Sequence, residues 1–235
     1  MSTWAQTTIT PGRRSWRRPL GITETLYYWN GVWNGTADTV MHAHLRITSP
    51  RDVDIYGSDN VRRAWSSVKR RFPLIAAEVH EEDSGLHFVI REKNVTSLGD
   101  EDVTMGTVSS FSDAERFITE NLDGPRPISP KLLARVYVLR RIDRPGHFHV
   151  VLTIAHCITD GGSTSTVLRT FFQTLATPFD PSLMPIEERL DMYPPIESWI
   201  FPDHLSIAQK RWRRAIGYAF YVVRRTRLVV RGCIC

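Results

Sequence analysis

The nine residues IAHCITDGG, at positions 154–162, place a histidine at the end of an apolar run and an aspartate four residues after it. The run HFHVVLTIA, residues 147–155, is typical of a buried strand, and residues 163–176 repeat apolar side chains at helical offsets. His156 is therefore predicted to lie where a strand gives way to a turn and a helix. A side chain there projects toward solvent while the sheet holds its backbone.

Such a placement suits a catalytic group. A histidine with an unperturbed pKa near ~6.5 accepts a proton from a hydroxyl or amine close to neutral pH and returns it to a leaving group. Asp160 is suited to close the turn or to hold neighbouring groups through a buried ion pair, and Gly161 and Gly162 allow a sharp turn and the close approach of a ligand. The residues alone also fit an ordinary strand-end histidine, followed by an aspartate that caps the next helix.

Other chemistries are less well supported by the motif. A histidine and an aspartate four residues apart supply two ligands, whereas zinc needs three or four, so we predict no metal site. Cys157 as a nucleophile would face the opposite side of the strand from a base at residue 156. Four more histidines alternate along two strands, where either a polar strand face or further metal ligands would explain them: His42, His44, His147 and His149.

The formal net charge of +5 is concentrated at the two ends of the chain. Residues 1–20 hold four arginines and residues 206–235 hold eight Lys or Arg, both without an acidic residue, so the middle is net negative. Because a duplex binder carries its basic stripe on the folded surface, we predict no nucleic-acid partner. Three cysteines, no secretory signal and no bilayer-length apolar run indicate a cytoplasmic protein.

The elements before the motif follow a recognisable order. Alternating apolar residues predict a strand over residues 40–47, and a helix follows over residues 58–72. LIAAEVH and LHFVIRE predict a hairpin, and SFSDAERFITENL predicts a second helix. The runs KLLARVYVLRRI and HFHVVLTIA predict an antiparallel pair near the middle of a sheet.

The string HCITDGG after a hydrophobic strand resembles the H-x-x-x-D-G motif of the chloramphenicol-acetyltransferase-like superfamily. That superfamily includes plant BAHD acyltransferases, trichothecene acetyltransferase-like enzymes and the condensation domains of nonribosomal peptide synthetases. The order of elements supports the resemblance, since RRFPLIAAEV and KLLARVYVLRRI are similar to two family segments that precede the motif strand. The resemblance covers residues 24–176.

The resemblance implies an α+β fold, in which a mixed, largely antiparallel sheet flanked by helices forms one of the two halves of the full fold. It implies that His156 is the general base that deprotonates an acceptor hydroxyl or amine for attack on an acyl thioester. Asp160 would be structural and paired with an arginine, and Gly161 would shape the turn. Arg135 is a candidate partner for Asp160, while Ala76 stands where many condensation domains have an arginine.

The implied co-substrates are acyl-CoA, or a carrier-protein thioester, and a small-molecule acceptor of secondary metabolism, with no tightly bound cofactor and no metal. Family members are about twice as long, and the D-F-G-W-G motif of their second half is absent, so we expect the first half only. The expected organisation is a basic arm over residues 1–23, the acyltransferase-like subdomain over 24–176, a Pro-rich linker over 177–205 and a basic amphipathic helix over 206–235 that begins a crossover.

Two other functions stay open at this point. One is a catalytically inactive, truncated remnant that acts as an interaction module, with an exposed half-interface that pairs with itself or with another chain. The other is binding of residues 206–231 to anionic lipid, for which packing of that helix on the domain is the favoured alternative. The apolar residues of this predicted helix recur at helical offsets and are Trp212, Ile216, Phe220 and Val223.

Overall fold

Two four-stranded sheets form the framework of the chain in a computed structural model. The structure describes residues 4–10, 13–48, 55–177 and 184–200, together with the short stretches 206–209, 211–212 and 215–216. The chain divides into one unit that ends at Pro194 and a second that begins at Pro195. The two sheets, and every element discussed below except α7, belong to the first unit.

The described strands are β1 (Ala5–Thr10), β2 (Arg13–Pro19), β3 (Thr39–Arg46), β4 (Ala77–Glu82), β5 (Gly85–Arg91), β6 (Val103–Val108), β7 (Ala134–Arg141) and β8 (His147–Ile154). The described helices are α1 (Ile22–Asn34), α2 (Ser58–Arg71), α3 (Glu92–Thr96), α4 (Phe111–Asp123), α5 (Gly161–Ala176), α6 (Ile186–Asp191) and α7 (Ile196–Ile200). Two short 3-10 turns cover Pro73–Ala76 and His156–Ile158. In the described part of the chain, no helix has both the length and the apolar character needed to cross a membrane.

The second sheet has the strand order β3-β8-β7-β6 and carries the motif. The predicted antiparallel pair of β7 and β8 is confirmed, and both strands lie in the interior of the sheet. Residues 148–154 of β8 are all buried, as expected for a continuous apolar run covered on both faces. The parallel pairing of β6 with β7 was not predicted from the sequence.

Helices α2 and α5 cover one face of the second sheet. Their apolar residues recur at the spacing of one helix face, so each helix buries a single stripe against the strands. Trp65 of α2 meets Phe171 of α5 edge to face, with 5.9 Å between ring centroids. The α+β fold class is therefore confirmed, with mostly antiparallel sheets flanked by helices.

The first sheet, of order β1-β2-β5-β4, corrects the expectation of a basic arm over residues 1–23. Residues 5–10 and 13–19 form two of its strands, and Trp16 is 1% exposed in the core. Two solvent-accessible arginines of β2 form ion pairs with acidic residues far along the chain. Arg14 pairs with Glu92, and Arg17 pairs with Glu82.

Arg18 of β2 forms a buried ion pair with Glu24 of α1. Both Glu24 oxygens accept a hydrogen bond from the guanidinium at 2.7 Å, and Glu24 also accepts from the Gly21 amide at the start of the helix. The guanidinium carbon lies 5.0 Å from the ring centroids of both Trp4 and Phe88. One carboxylate therefore caps α1 and ties that helix to the first sheet.

The expected linker over residues 177–205 also contains packed structure. Ile186 and Leu190 of α6 are buried in the core beside the first sheet. Residues 178–183 and 201–205 lie outside the described residues, as do residues 217–235 of the expected amphipathic helix, including Phe220 and Val223.

We expect Glu24→Ala to lower the free energy of unfolding by about 3–5 kcal/mol, because it leaves Arg18 charged and buried without its partner. The Arg18→Met/Glu24→Leu double variant should recover most of that loss. Urea denaturation measures both, with Arg17→Ala as a control that removes an exposed ion pair. A loss for Glu24→Ala no larger than that of the control would contradict a stabilising buried pair.

Candidate functional site

The motif begins where the hydrogen bonding of the second sheet ends. Ile154 is the last residue of β8, and the amide of Ala155 still donates to the carbonyl of Leu133 at 2.8 Å. The chain then turns through the 3-10 turn His156–Ile158, and α5 begins at Gly161. The predicted order of strand, turn and helix is present, and the turn fixes the backbone of His156 one residue beyond the sheet.

His156 is half-buried, and its Nδ1 lies 2.6 Å from the carbonyl oxygen of Thr159. A carbonyl only accepts hydrogen bonds, so this contact assigns the proton to Nδ1. In the neutral imidazole Nε2 then keeps a free lone pair, which is the state that a general base needs. The local turn therefore selects the tautomer without a second side chain.

Tyr27 of α1 stacks on the His156 ring. The ring centroids are 4.1 Å apart and the planes differ by 11°. Together with the Thr159 contact, this stack fixes both the tilt and the rotation of the imidazole. Tyr27 lies 129 positions before the histidine, and no local sequence pattern predicts its contact with the motif.

Asp160 is the N-cap of α5, and its Oδ1 accepts a hydrogen bond from the Ser163 amide at 2.7 Å. The side chain is exposed, which corrects the expectation of a buried ion pair. Hydrogen bonds from Ser163 hold the pKa of Asp160 below its usual value, with a smaller contribution from the positive character of His156. The helix-capping interpretation, which the sequence left open, is therefore the one that the structure supports.

Arg135 does not pair with Asp160. It lies on β7, donates from Nη2 to Thr104 Oγ1 at 2.9 Å, and holds its guanidinium 4.9 Å from the Tyr137 ring centroid. Its register partner on β8 is Thr153, so Arg135 is held on the sheet and the proposed pairing is wrong. Ala76 is buried in the core within the turn Pro73–Ala76.

The half-buried Arg126 lies near the motif and pairs with Asp38. Arg126 Nε donates to Asp38 Oδ2 at 2.6 Å, and its charge acts on the neighbouring Cys157. Gly31 of α1 packs so closely that a Cβ atom there would lie 3.0 Å from both partners. The sequence gives no signal for a pair that is separated by 88 positions.

Gly161 has a different role from the expected one. It is the first residue of α5, and its φ lies outside the left-handed region, so the turn does not require glycine there. A Cβ atom at Gly161 would meet no heavy atom of the described chain within 4 Å. The space beside it is open.

Cys157 is unsuited to act as a nucleophile. The side chain is 4% exposed and packs in the core, and burial raises the pKa of its thiol to about 12. Within the described residues, no group of three or more His, Cys, Asp or Glu side chains is arranged to hold a metal ion.

A cavity of about 450 Å³ lies elsewhere in the first unit. The buried ion pair of Lys69 and Asp102 forms part of its wall, with 2.9 Å between Lys69 Nζ and Asp102 Oδ1. None of its lining residues belongs to the motif, so this cavity is separate from the candidate site.

We expect Asp160→Ala to lower the free energy of unfolding by about 1 kcal/mol, because it removes the N-cap of α5. Asp160→Asn should retain most of that stability, since asparagine caps equally well. The Asp160→Ala and Arg135→Ala effects should add within about 0.5 kcal/mol in urea denaturation. A larger coupling energy would mean that the two side chains interact directly, which would contradict the observed geometry.

No protein-family model matches the sequence, and no curated protein matches it. Solved structures do match the fold. The tallysomycin biosynthesis protein TlmII is 18% identical with a TM-score of 0.58, and the match covers 83% of this chain and 46% of that one. The chain spans less than half the length of the solved chains described here.

Two of the similar structures are condensation domains. The starter condensation domain of rhizomide synthetase RzmA is 12% identical with a TM-score of 0.54, over 75% of this chain and 42% of that one. The condensation domain from Monacolin K polyketide synthase MokA is 12% identical with a TM-score of 0.55, over 74% of this chain and 38% of that one. This chain therefore shares the fold of these condensation domains, over about two fifths of their length.

Proposed function

We propose that the protein takes part in the transfer of an acyl group from a thioester to the hydroxyl or amine of a small molecule, with His156 as the general base. The observation that carries the proposal is the contact of His156 Nδ1 with the Thr159 carbonyl, which leaves Nε2 as the basic nitrogen. The similarity of fold to condensation domains supports the same class of chemistry.

In the proposed reaction, Nε2 takes the proton of the acceptor hydroxyl or amine as its oxygen or nitrogen attacks the thioester carbonyl. The tetrahedral intermediate collapses, the carbon–sulfur bond breaks, and the leaving thiolate takes the proton back from His156. No covalent acyl-enzyme is needed, which agrees with the buried and weakly acidic thiol of Cys157. Coenzyme A is the proposed carrier of the acyl group, and a carrier-protein thioester is the alternative.

The neighbouring residues have separate proposed roles. Thr159 and Tyr27 orient the imidazole, and Asp160 secures the first turn of α5. Gly161 leaves open space for a substrate beside that turn. The solved structures are more than twice as long as the matched part, so the full acceptor and donor sites are proposed to need the remainder of such a fold.

We expect His156→Ala to lower the rate of acyl transfer by about 10²–10⁴-fold, the usual contribution of a positioned general base. The assay follows release of free coenzyme A from acyl-CoA with hydroxyl and amine acceptors, and a parallel series uses carrier-protein thioesters. Asp160→Asn should keep most of the activity, and His87→Gln, a buried histidine of the first sheet, is the matched control.

Transfer at the same rate by wild type and His156→Ala would contradict the proposal. Absence of transfer with every donor would favour the second candidate, an interaction module. The exposed apolar residues of α1 support that candidate, since Ile22 and Trp33 are 76% and 70% exposed on one helix.

A further inference from the structure

Four histidines lie side by side on one face of the second sheet, toward the end of β8 opposite to His156. Two come from β3 and two from β8, and His44 is the register partner of His149. Because side chains alternate along a strand, all four lie on the same face of the sheet. We call this group the histidine ladder: His42, His44, His147 and His149.

Contacts between ring nitrogens join the ladder in pairs. Nε2 of His42 lies 2.9 Å from Nδ1 of His149, and Nε2 of His44 lies 3.0 Å from Nδ1 of His147. The rings of His44 and His149 also stack, with 4.7 Å between centroids. A hydrogen bond between two imidazoles needs a donor N–H on one and a bare nitrogen on the other, so full protonation of a pair breaks its contact.

Helix α4 covers the inner part of the ladder. Its first residue, Phe111, packs against His44 and His149 with centroid distances of 5.7 and 5.4 Å. His149 is fully buried, and its Nε2 has no hydrogen-bond partner in the part of the chain that the structure describes. A proton added at that nitrogen would place an unpaired charge in an apolar setting.

The charges that act on the ladder are mostly positive. The carboxylate of Glu115 favours protonation of His42. Asp143, in the turn after β7, pairs with Arg141. These groups come from every element packed around the ladder: Arg46 of β3, Arg141 of β7, Asp143 and Arg144 of the following turn, and Glu115 of α4.

The fold therefore resists protonation of His42, His147 and His149. Burial lowers the pKa of His149 to about 4, and the neighbouring histidines and Arg141 act in the same direction. Burial also lowers the pKa of His42 and of His147. Since an unfolded histidine has a pKa near ~6.5, loosened states bind protons first, and stability that is complete above that pH is lost as the pH falls toward 4.

We propose that the histidine ladder is an acid-sensitive contact that fastens β3 and the start of α4 to the sheet at neutral pH and releases them in mild acid. Strand β3 is the element that gives way, because in the described sheet it is an edge strand bonded to β8 alone. Strand β8 keeps its second partner, β7, so the rest of the sheet stays paired. The proposal does not depend on acyl transfer.

The test compares wild type with His44→Gln/His149→Gln, in which neutral amides replace the two stacked imidazole rings. Urea midpoints are measured at about pH 7.5, above the ordinary histidine pKa, and at about pH 5.5, below it and above that of carboxylates. We expect the wild-type midpoint to fall between the two values and the double variant to lose most of that dependence. The control, His87→Gln in the first sheet, should follow wild type.

Hydrogen exchange, corrected for intrinsic rates, locates the release. In wild type at the lower pH, amides of residues 39–46 and 111–118 should exchange faster while those of residues 77–91 are unchanged. An equal fall of the midpoint in wild type and double variant would overturn the proposal. If the double variant does not fold, NMR titration of wild type replaces the comparison. A His149 ring that titrates like free histidine would then overturn the proposal.

Discussion

The candidate site depends on strand β8, which is hydrogen-bonded along both edges up to Ile154, two residues before the motif histidine. Ile154 pairs with Thr39 on one side and with Ala134 on the other, and the Ala155 amide continues the bonding to Leu133. The strand is buried on both faces, so it has little freedom to shift. The backbone of His156 is therefore held in place, because His156 directly follows the hydrogen-bonded Ala155.

The chemistry of the site is built from consecutive residues. The Thr159 carbonyl selects the tautomer of His156, and Asp160 then closes the first turn of α5. The Tyr27 stack reaches the imidazole from a distant part of the chain. A motif of this kind keeps its geometry through local hydrogen bonds, and the aspartate needs no arginine to hold it.

The parts of the fold with a local pattern could be predicted from the sequence, and the parts made by distant pairing could not. Apolar periodicity predicts strand β3, the pair of β7 and β8, and helix α5. Residues 1–23 were expected to form a basic arm, because the acidic partners of Arg14, Arg17 and Arg18 lie 6 to 173 positions away. The same limit explains why Arg135 was assigned to Asp160 and why the Arg126–Asp38 pair was missed.

His156 presents a bare Nε2 because the Thr159 carbonyl accepts the proton carried on Nδ1. Nitrogen-15 NMR of the labelled imidazole measures this directly, since protonated and bare ring nitrogens resonate far apart. For the neutral ring we predict a protonated Nδ1 and an unprotonated Nε2, and Tyr27→Phe, which keeps the aromatic stack, should preserve that state. A dominant tautomer with the proton on Nε2 would contradict the account.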